Sequence, residues 1–402
     1  MASSFLSGFI AGRLQFQKGS SFSATVIRIS KISVALGIAI LYVSVVIYAG
    51  FEQEIQKRMF SVGGQVSLRQ FSTGTLYEEV ALNTNDPYLK TLRQLPEVAH
   101  VQSFAFKPVL VSNEKEVAGI VLKGINPDFN LAAFQGNVDR PLKNTPKEGE
   151  IWISQRLART LELKRGSEVV LFFMQEPPRY RKMKVTEIYQ TGLEDVDETI
   201  AFVQLELIRE INNWEPGKVG GFEVFVKDFQ QFDFALDAIE KIIPYNMGTE
   251  PITLVQAQLF EWLDVIGRNV LVMFVLVAMV AGFNMAATLL IMVVERRKMV
   301  GVLKAMGADN GLIRKIFIRN GLKIMFQGML WGNAIGLLLA FLQFHFELIP
   351  LDAENYYLST VPIAWDWISI IGINIGVLFL SWLVILIPVR MVNRIQPAEA
   401  VK

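Results

Sequence analysis

Four stretches of this chain contain no Asp, Glu, Lys or Arg and are long enough to cross a bilayer: residues 32–50, 269–294, 324–346 and 367–389. A hydrocarbon core of about 30 Å needs about 20 mostly apolar helical residues, so each reads as a spanning helix. The chain is 52% hydrophobic and only 19% charged over 402 residues, which excludes an ordinary soluble protein. Residues 295–323, between the second and third runs, hold eight basic and two acidic residues. Each such charge costs about 2.5–3.5 kcal/mol at the centre of a span, so this segment is not a fifth one.

Orientation follows from Lys and Arg in the short connections. Residues 1–31 carry Arg13, Lys18, Arg28 and Lys31 with no acidic residue, whereas 347–366 carry four acidic residues and no Lys or Arg. Residues 1–31, 295–323 and the tail 390–402 are therefore expected in the cytoplasm. Residues 51–264 and the loop 347–366 are expected outside, with Trp365 and Trp367 as an interfacial anchor. The first run is longer than the apolar part of a signal peptide, and "GFEQEIQKRMF" after it offers no small-x-small cleavage site. A net charge of +1 gives no reason to expect nucleic acid, and with no cysteine the outer domain uses no disulfides.

The expected fold class is thus a membrane protein with four transmembrane α-helices and a large α/β extracytoplasmic domain inserted between the first and second. Within it, "QVSLRQF", "VAHVQSFAFKPVLV", "KEVAGIVLKGI" and "GFEVFVKD" read as strands. Leu89, Leu92 and Leu95 mark one helix, and Phe232, Leu236, Ile239 and Ile243 another. The middle, about 127–205, reads as an inserted subdomain: a helix at "SQRLARTLEL" with Ser154 as N-cap, then strands at "VVLFFM", "MKVTEIYQTG" and "ETIAFVQLE". Two subdomains are expected, one interrupting the other. The helical pattern from 253 to 294 has no Pro, and 42 residues make about 63 Å of helix, twice the membrane thickness. Part of it is expected to protrude beside Phe51, Ile55 and Met59 as a stalk.

No catalytic constellation is present. The two histidines, His100 and His345, read as structural, and without cysteine there is neither a His/Cys metal pattern nor a thiol nucleophile. "EPGKVGG" lacks the first glycine and the Ser/Thr of a phosphate-binding loop, so no ATP hydrolysis is expected on this chain.

The segment "ERRKMVGVLKAMGADNGLIRKIFIRNG", residues 295–321, has Met299, Val302, Leu303 and Met306 at helical spacing, with Arg296, Arg297 and Lys304 on other sides. Gly307 suits a helix end, and Asp309 suits the cap of a following helix that carries Leu312, Ile313, Ile316 and Phe317. Two readings follow: an interfacial helix held by anionic membrane lipids, or a helix that docks in a groove of a cytosolic partner.

The segment resembles the coupling region of FtsX-type ABC transporter permeases, roughly E-R-x-x-x-[IV]-G-x-[LM]-[KR]-A-[LMI]-G-A. It matches at Glu295, Arg296, Val300, Gly301, Leu303, Lys304, Ala305, Met306, Gly307 and Ala308. The resemblance extends to the lipoprotein-releasing (LolC/LolE-type) permeases through "FIAGRLQFQKGSSFSATVIRISKISVALGIAI", "LKGINP", "ISQRLARTLELKRGSEV", "TGLEDVDETIAFVQL" and "RIQPAEAVK". It implies a non-catalytic inner-membrane subunit whose residues 295–297 and 299–308, Arg297, Met299 and Val302 included, seat in a separate cytosolic ATPase dimer that binds ATP and Mg. It also implies a second permease copy or paralogue, lipoprotein cargo drawn from the outer leaflet, and a periplasmic lipoprotein carrier. The carrier contact would be the loop "MQEPPRYRK", through Pro177, Pro178, Arg179, Tyr180 and Arg181; a plain hairpin turn is the simpler reading. Gly328, Gly332 and Gly336 in the third span, and Gly372 and Gly376 in the fourth, read as helix-packing rows, and Asn284, Asn333 and Asn374 as interhelical hydrogen-bonding residues. Rival readings are a MacB-like exporter of periplasmic substrates, an FtsX-like subunit that activates a cell-wall hydrolase, and a membrane sensor with no motor.

Overall fold

The computed structural model describes residues 22–71, 79–113, 116–352 and 358–390. Most of the expected cytoplasmic start (1–21), the middle of the loop 347–366 (353–357) and the tail after residue 390 lie outside the described residues. The chain divides into two compact units: residues 1–52, 263–350 and 360–402 form one, and residues 53–262 and 351–359 form the other.

In chain order the elements are α1 (Phe22–Val62), β1 (Val66–Gln70), β2 (Leu82–Asn83), α2 (Pro87–Gln94), β3 (Val98–Ser112), β4 (Val117–Ile125), α3 (Leu131–Phe134), β5 (Glu150–Ser154), α4 (Gln155–Thr160), β6 (Glu168–Phe173), β7 (Arg179–Tyr189) and α5 (Glu194–Thr199). They continue with β8 (Ile200–Gln204), α6 (Leu205–Asn212), β9 (Lys218–Val219), β10 (Gly221–Val226), α7 (Phe232–Glu240), β11 (Met247–Pro251), α8 (Ile252–Val255), α9 (Ala257–Glu295), α10 (Arg297–Ala305), α11 (Asn310–Phe346) and α12 (Trp367–Arg390).

The four long helices, α1, α9, α11 and α12, carry the four apolar runs, and each is long and apolar enough to cross a membrane. Three of them extend well beyond those runs. A break at Gln256 separates α8 from α9, so the helix expected from residue 253 begins at Ala257. Gly328, Gly332 and Gly336 bring α11 against α1: a Cβ on them would fall 2.8 Å from Val34, 2.6 Å from the Ala35 carbonyl and 2.7 Å from Tyr42. Such a row permits a close approach where lipid offers no hydrophobic drive for helix association. Gly376 meets the Phe274 ring in the same way, at 2.8 Å. Gly372 departs from its expected role: it has open space within 4 Å among the described residues, because its side of α12 is exposed.

Polar side chains bridge the same helices. Ser30 on α1 pairs with Thr288 on α9, Asn284 donates to Ser33 at 2.7 Å, and Asn333 on α11 pairs with Asn374 on α12.

The α/β unit is organised by one long strand. β3 spans 15 residues; its first half pairs with β10 and its second half with β4. β4 continues to β8, β8 to β5, β5 to β7 and β7 to β6, and β6 returns to Leu110–Ser112 of β3. Six strands thus close a ring, while β10, β1 and β11 extend the sheet from the other half of β3. Alternation along these strands buries Val66, Leu68, Val109, Val111, Leu171 and Val185 in one shared core. The expected N-cap is present: Ser154 Oγ accepts the Leu157 amide at 3.0 Å and begins α4.

Candidate functional site

The charged segment between the second and third long helices forms a capped elbow. α9 ends at Glu295 and α10 at Ala305. The turn after α10 is closed by two backbone bonds, Gly307 N to Lys304 O at 3.0 Å and Ala308 N to Leu303 O at 2.9 Å. Gly307 adopts φ +90°, which only glycine takes without strain. Asp309 then accepts the Leu312 amide at 3.1 Å and starts α11. The Gly-Ala-Asp break in the sequence is therefore a helix stop followed directly by a helix start.

The elbow has two faces, divided differently from the sequence pattern. Val300 and Gly301 are buried, and Val300 packs in the core with Met292, Ile313 and Phe317. Met299, Leu303, Lys304 and Ala308 are half-buried. Val302 and Met306, expected on the same stripe as Met299 and Leu303, are instead 49% and 71% exposed, with Ala305 exposed between them. Val300, about a quarter turn round the helix from Met299, faces inward because Met292, Ile313 and Phe317 form the core it packs in. An apolar patch is left outside, flanked by exposed Glu295, Arg297 and Lys298 and half-buried Arg296. Such a surface can bind an apolar groove with an acidic rim.

Two further features stand in the α/β unit. The hairpin between β6 and β7 is shorter than expected: only residues 174–178 form its tip, and Arg179, Tyr180 and Arg181 already lie in β7. Pro177 and Pro178 sit at that tip, Met174 and Tyr180 are 70% and 71% exposed, and Arg179 donates to the Glu210 carbonyl at 2.9 Å and to Asn213 at 3.0 Å. Arg179 thus fixes the base of the hairpin rather than offering itself outward.

The second feature is a buried polar cluster that the sequence reading missed. Lys123 pairs with Glu223, both about 95% or more buried, while Gln102 donates to Glu223 at 2.7 Å. Nearby, Glu79 accepts the Phe106 amide at 2.8 Å, just past the point where β10 stops covering β3. Burial pushes its carboxyl up to about 7, against the Phe106 hydrogen bond and the attraction of Arg69 and Lys123. Asp197 is likewise raised by burial although it accepts from Thr191 and Gly192. A lysine inside "VAGIVLKGI" and a glutamate inside "GFEVFV" were the available signals, since a charge in a buried strand needs a partner. Among the described residues, no three His, Asp or Glu side chains converge as a metal site.

Residues 271–397, which include the elbow, match the FtsX-like permease C-terminal family. The chain is 24% identical over 411 residues to the lipoprotein-releasing system transmembrane protein LolE of Haemophilus influenzae, covering 97% of this chain and 98% of that one. It is 22% identical over 412 residues to the LolC protein of the same name in Xylella fastidiosa, covering 97% and 96%. Among solved structures, the periplasmic region of MacB from Actinobacillus actinomycetemcomitans aligns with 50% of this chain and 94% of its own, at 9% identity and a TM-score of 0.35.

Proposed function

We propose that this chain, which belongs to the FtsX-type ABC transporter permeases, is the membrane subunit of a transporter that releases lipoproteins from the outer leaflet of the inner membrane to a periplasmic carrier. The observation that carries the reading is the reach of the similarity. It covers 97% of the chain against lipoprotein-releasing permeases, α/β unit included, rather than the C-terminal permease part alone.

In this reading the charge pattern puts the elbow and both ends in the cytoplasm and the α/β unit in the periplasm. The exposed Val302–Met306 face seats in a separate ATPase dimer, which binds ATP and Mg. A second copy or paralogue completes the pathway, since two-fold assembly is the commonest arrangement. The motor is needed because removing acyl chains from lipid costs about 0.8 kcal/mol per CH₂. The chain supplies no catalytic group of its own; it transmits movement.

The test is depletion of the chain in living cells, with lipoproteins followed in both membranes. Retention of outer-membrane lipoproteins in the inner membrane is the expected result. Normal sorting with impaired export of a soluble substrate would reject the cargo and favour a MacB-like exporter; normal sorting with loss of cell-wall hydrolase activity would favour an FtsX-like role.

A further inference from the structure

The end of α1, residues 58–62, which belongs to the α/β unit, is fastened to the sheet and its loops at three polar points. Arg58 Nη1 donates to the Thr191 carbonyl at 3.0 Å, Asn137 Nδ2 donates to Ser61 Oγ at 2.6 Å, and Lys123 Nζ donates to the Val62 carbonyl at 2.7 Å. The receiving loop is itself immobilised. Thr191 is fully buried, and its amide and hydroxyl both donate to Asp197 Oδ1, at 3.1 and 2.9 Å. The Gly192 amide donates to Asp197 Oδ2 at 3.0 Å, and the Gln190 amide to the Asn137 carbonyl at 2.8 Å. Hence both Arg58 and Ser61 grip parts of one small cage built around residues 190–197.

The cage continues directly into β7, which ends at Tyr189. β7 is flanked by β5 over Lys184–Tyr189 and by β6 over Arg179–Lys184, so it is held by ladder bonds along its whole length. Its 11 residues span about 35 Å at the usual strand rise. At the far end lies the tip 174–178, whose base is fixed by Arg179. One strand therefore connects the end of α1 to the exposed hairpin, with a polar clamp at each end.

We propose that Arg58 is a positioning residue: its grip on Thr191 makes the end of α1 (residues 58–62), the 190–197 cage and β7 a single rigid piece, so that the hairpin follows any displacement of that end. The transport half of this inference rests on the function proposed above; the rigidity half does not. The geometry favours a permanent joint over a releasable one because the Thr191 carbonyl is held in a loop that Asp197 closes from three directions, with no slack to follow a departing guanidinium.

The test uses the full chain in nanodiscs with its copurified ATPase. Since the chain has no cysteine, Lys57→Cys and Asp195→Cys give two unique spin-label sites, one on α1 and one on the cage. The expected distance distribution is narrow and unchanged between the nucleotide-free and ATP-vanadate states, broadened by Arg58→Ala and restored by Arg58→Lys. A second readout is release of a lipidated peptide from the same nanodiscs. Arg58→Ala should lower it by about tenfold, a usual size for lost coupling between two sites, with the ATPase rate kept, the loss exceeding what any fall in the thermal midpoint explains, and Arg58→Lys recovering most of it. A wild-type distance that shifts with nucleotide would overturn the rigid joint. So would wild-type release by Arg58→Ala, or a loss of release that merely parallels unfolding. If the unmutated complex releases no lipoprotein, the cargo reading fails while the distance measurement still decides the joint.

Discussion

Asn333 and Asn374 exchange two side-chain hydrogen bonds, Asn333 Nδ2 to Asn374 Oδ1 at 2.7 Å and Asn374 Nδ2 to Asn333 Oδ1 at 3.1 Å. Each spare amide hydrogen goes to a carbonyl one turn earlier, of Met329 and of Ile370. Replacing either Asn by Leu leaves the other half-satisfied in an apolar setting. A double-mutant cycle with Asn333→Leu and Asn374→Leu should give a coupling of about 0.6–1.7 kcal/mol, the range for such pairs in membranes. It is measured by unfolding of the detergent-solubilised chain.

The glycine rows separate cleanly by what surrounds them. Gly332→Leu must force the Ala35 carbonyl and the Ile38 side chain away, both 2.6 Å from the new Cβ, and should cost about 1–3 kcal/mol as overpacking does. Gly372→Leu, facing open space, should change stability by no more than about 0.5 kcal/mol. Comparison of thermal midpoints checks both, and equal losses would refute the assigned seam.

The elbow makes opposite predictions for neighbouring residues. Val302→Asp with Met306→Asp changes only exposed side chains, so the protein should insert and fold while the copurifying ATPase is lost. Val300→Asp puts a charge into the core beside Ile313 and Phe317 and should abolish folding itself. Pull-down yield against the thermal midpoint distinguishes them; undiminished ATPase recovery from the Val302/Met306 variant would rule out docking through that face.

Much of this was written in the sequence, and the omissions have a common physical cause. The four long helices were legible because an unbroken apolar run has one outcome in lipid, and Ser154 and Asp309 were legible because an N-cap acts within three residues. The cap at Gly307 was legible for the same reason. By contrast, which side of α10 turns inward depends on Met292, Ile313 and Phe317, which no local periodicity contains. The ring closure through β3 and β6, and the partnership of Lys123 with Glu223, join residues roughly 60 and 100 positions apart; alternation marks such strands without naming their neighbours. α6 was missed because "LELIREIN" sits between strands and is only two turns long.

The Lys123–Glu223 pair should be costly to break and cheap to replace. Lys123→Met takes the cation from the buried Glu223 carboxylate, which keeps the hydrogen bond from Gln102, and should cost about 3–5 kcal/mol. Adding Glu223→Met should recover most of that. The measurement is unfolding of the single and double variants; an additive double loss would mean that the pair is not coupled.

Glu79 gives the α/β unit a pH dependence of unusual sign. Its carboxyl titrates near 4.5 when unfolded and at about 7 when folded, so between those values the folded chain binds a proton the unfolded chain has released. Stability is therefore highest near the acidic end of this window and declines as pH rises, by about 3 kcal/mol in all. Arg69, Lys123 and Glu250 are the charged groups that act on it. Glu79→Gln should flatten the decline between pH 5 and 7, seen as thermal midpoints that converge at low pH and separate at high pH.

The single long strand β3 also governs when this protein can begin to take shape. Residues 98–104 acquire their neighbour only once residues 221–226 exist, more than a hundred positions later. Until then the first half of β3 is without its strand partner during biogenesis, so the part of the sheet that β10, β1 and β11 build on it is completed only after those residues emerge.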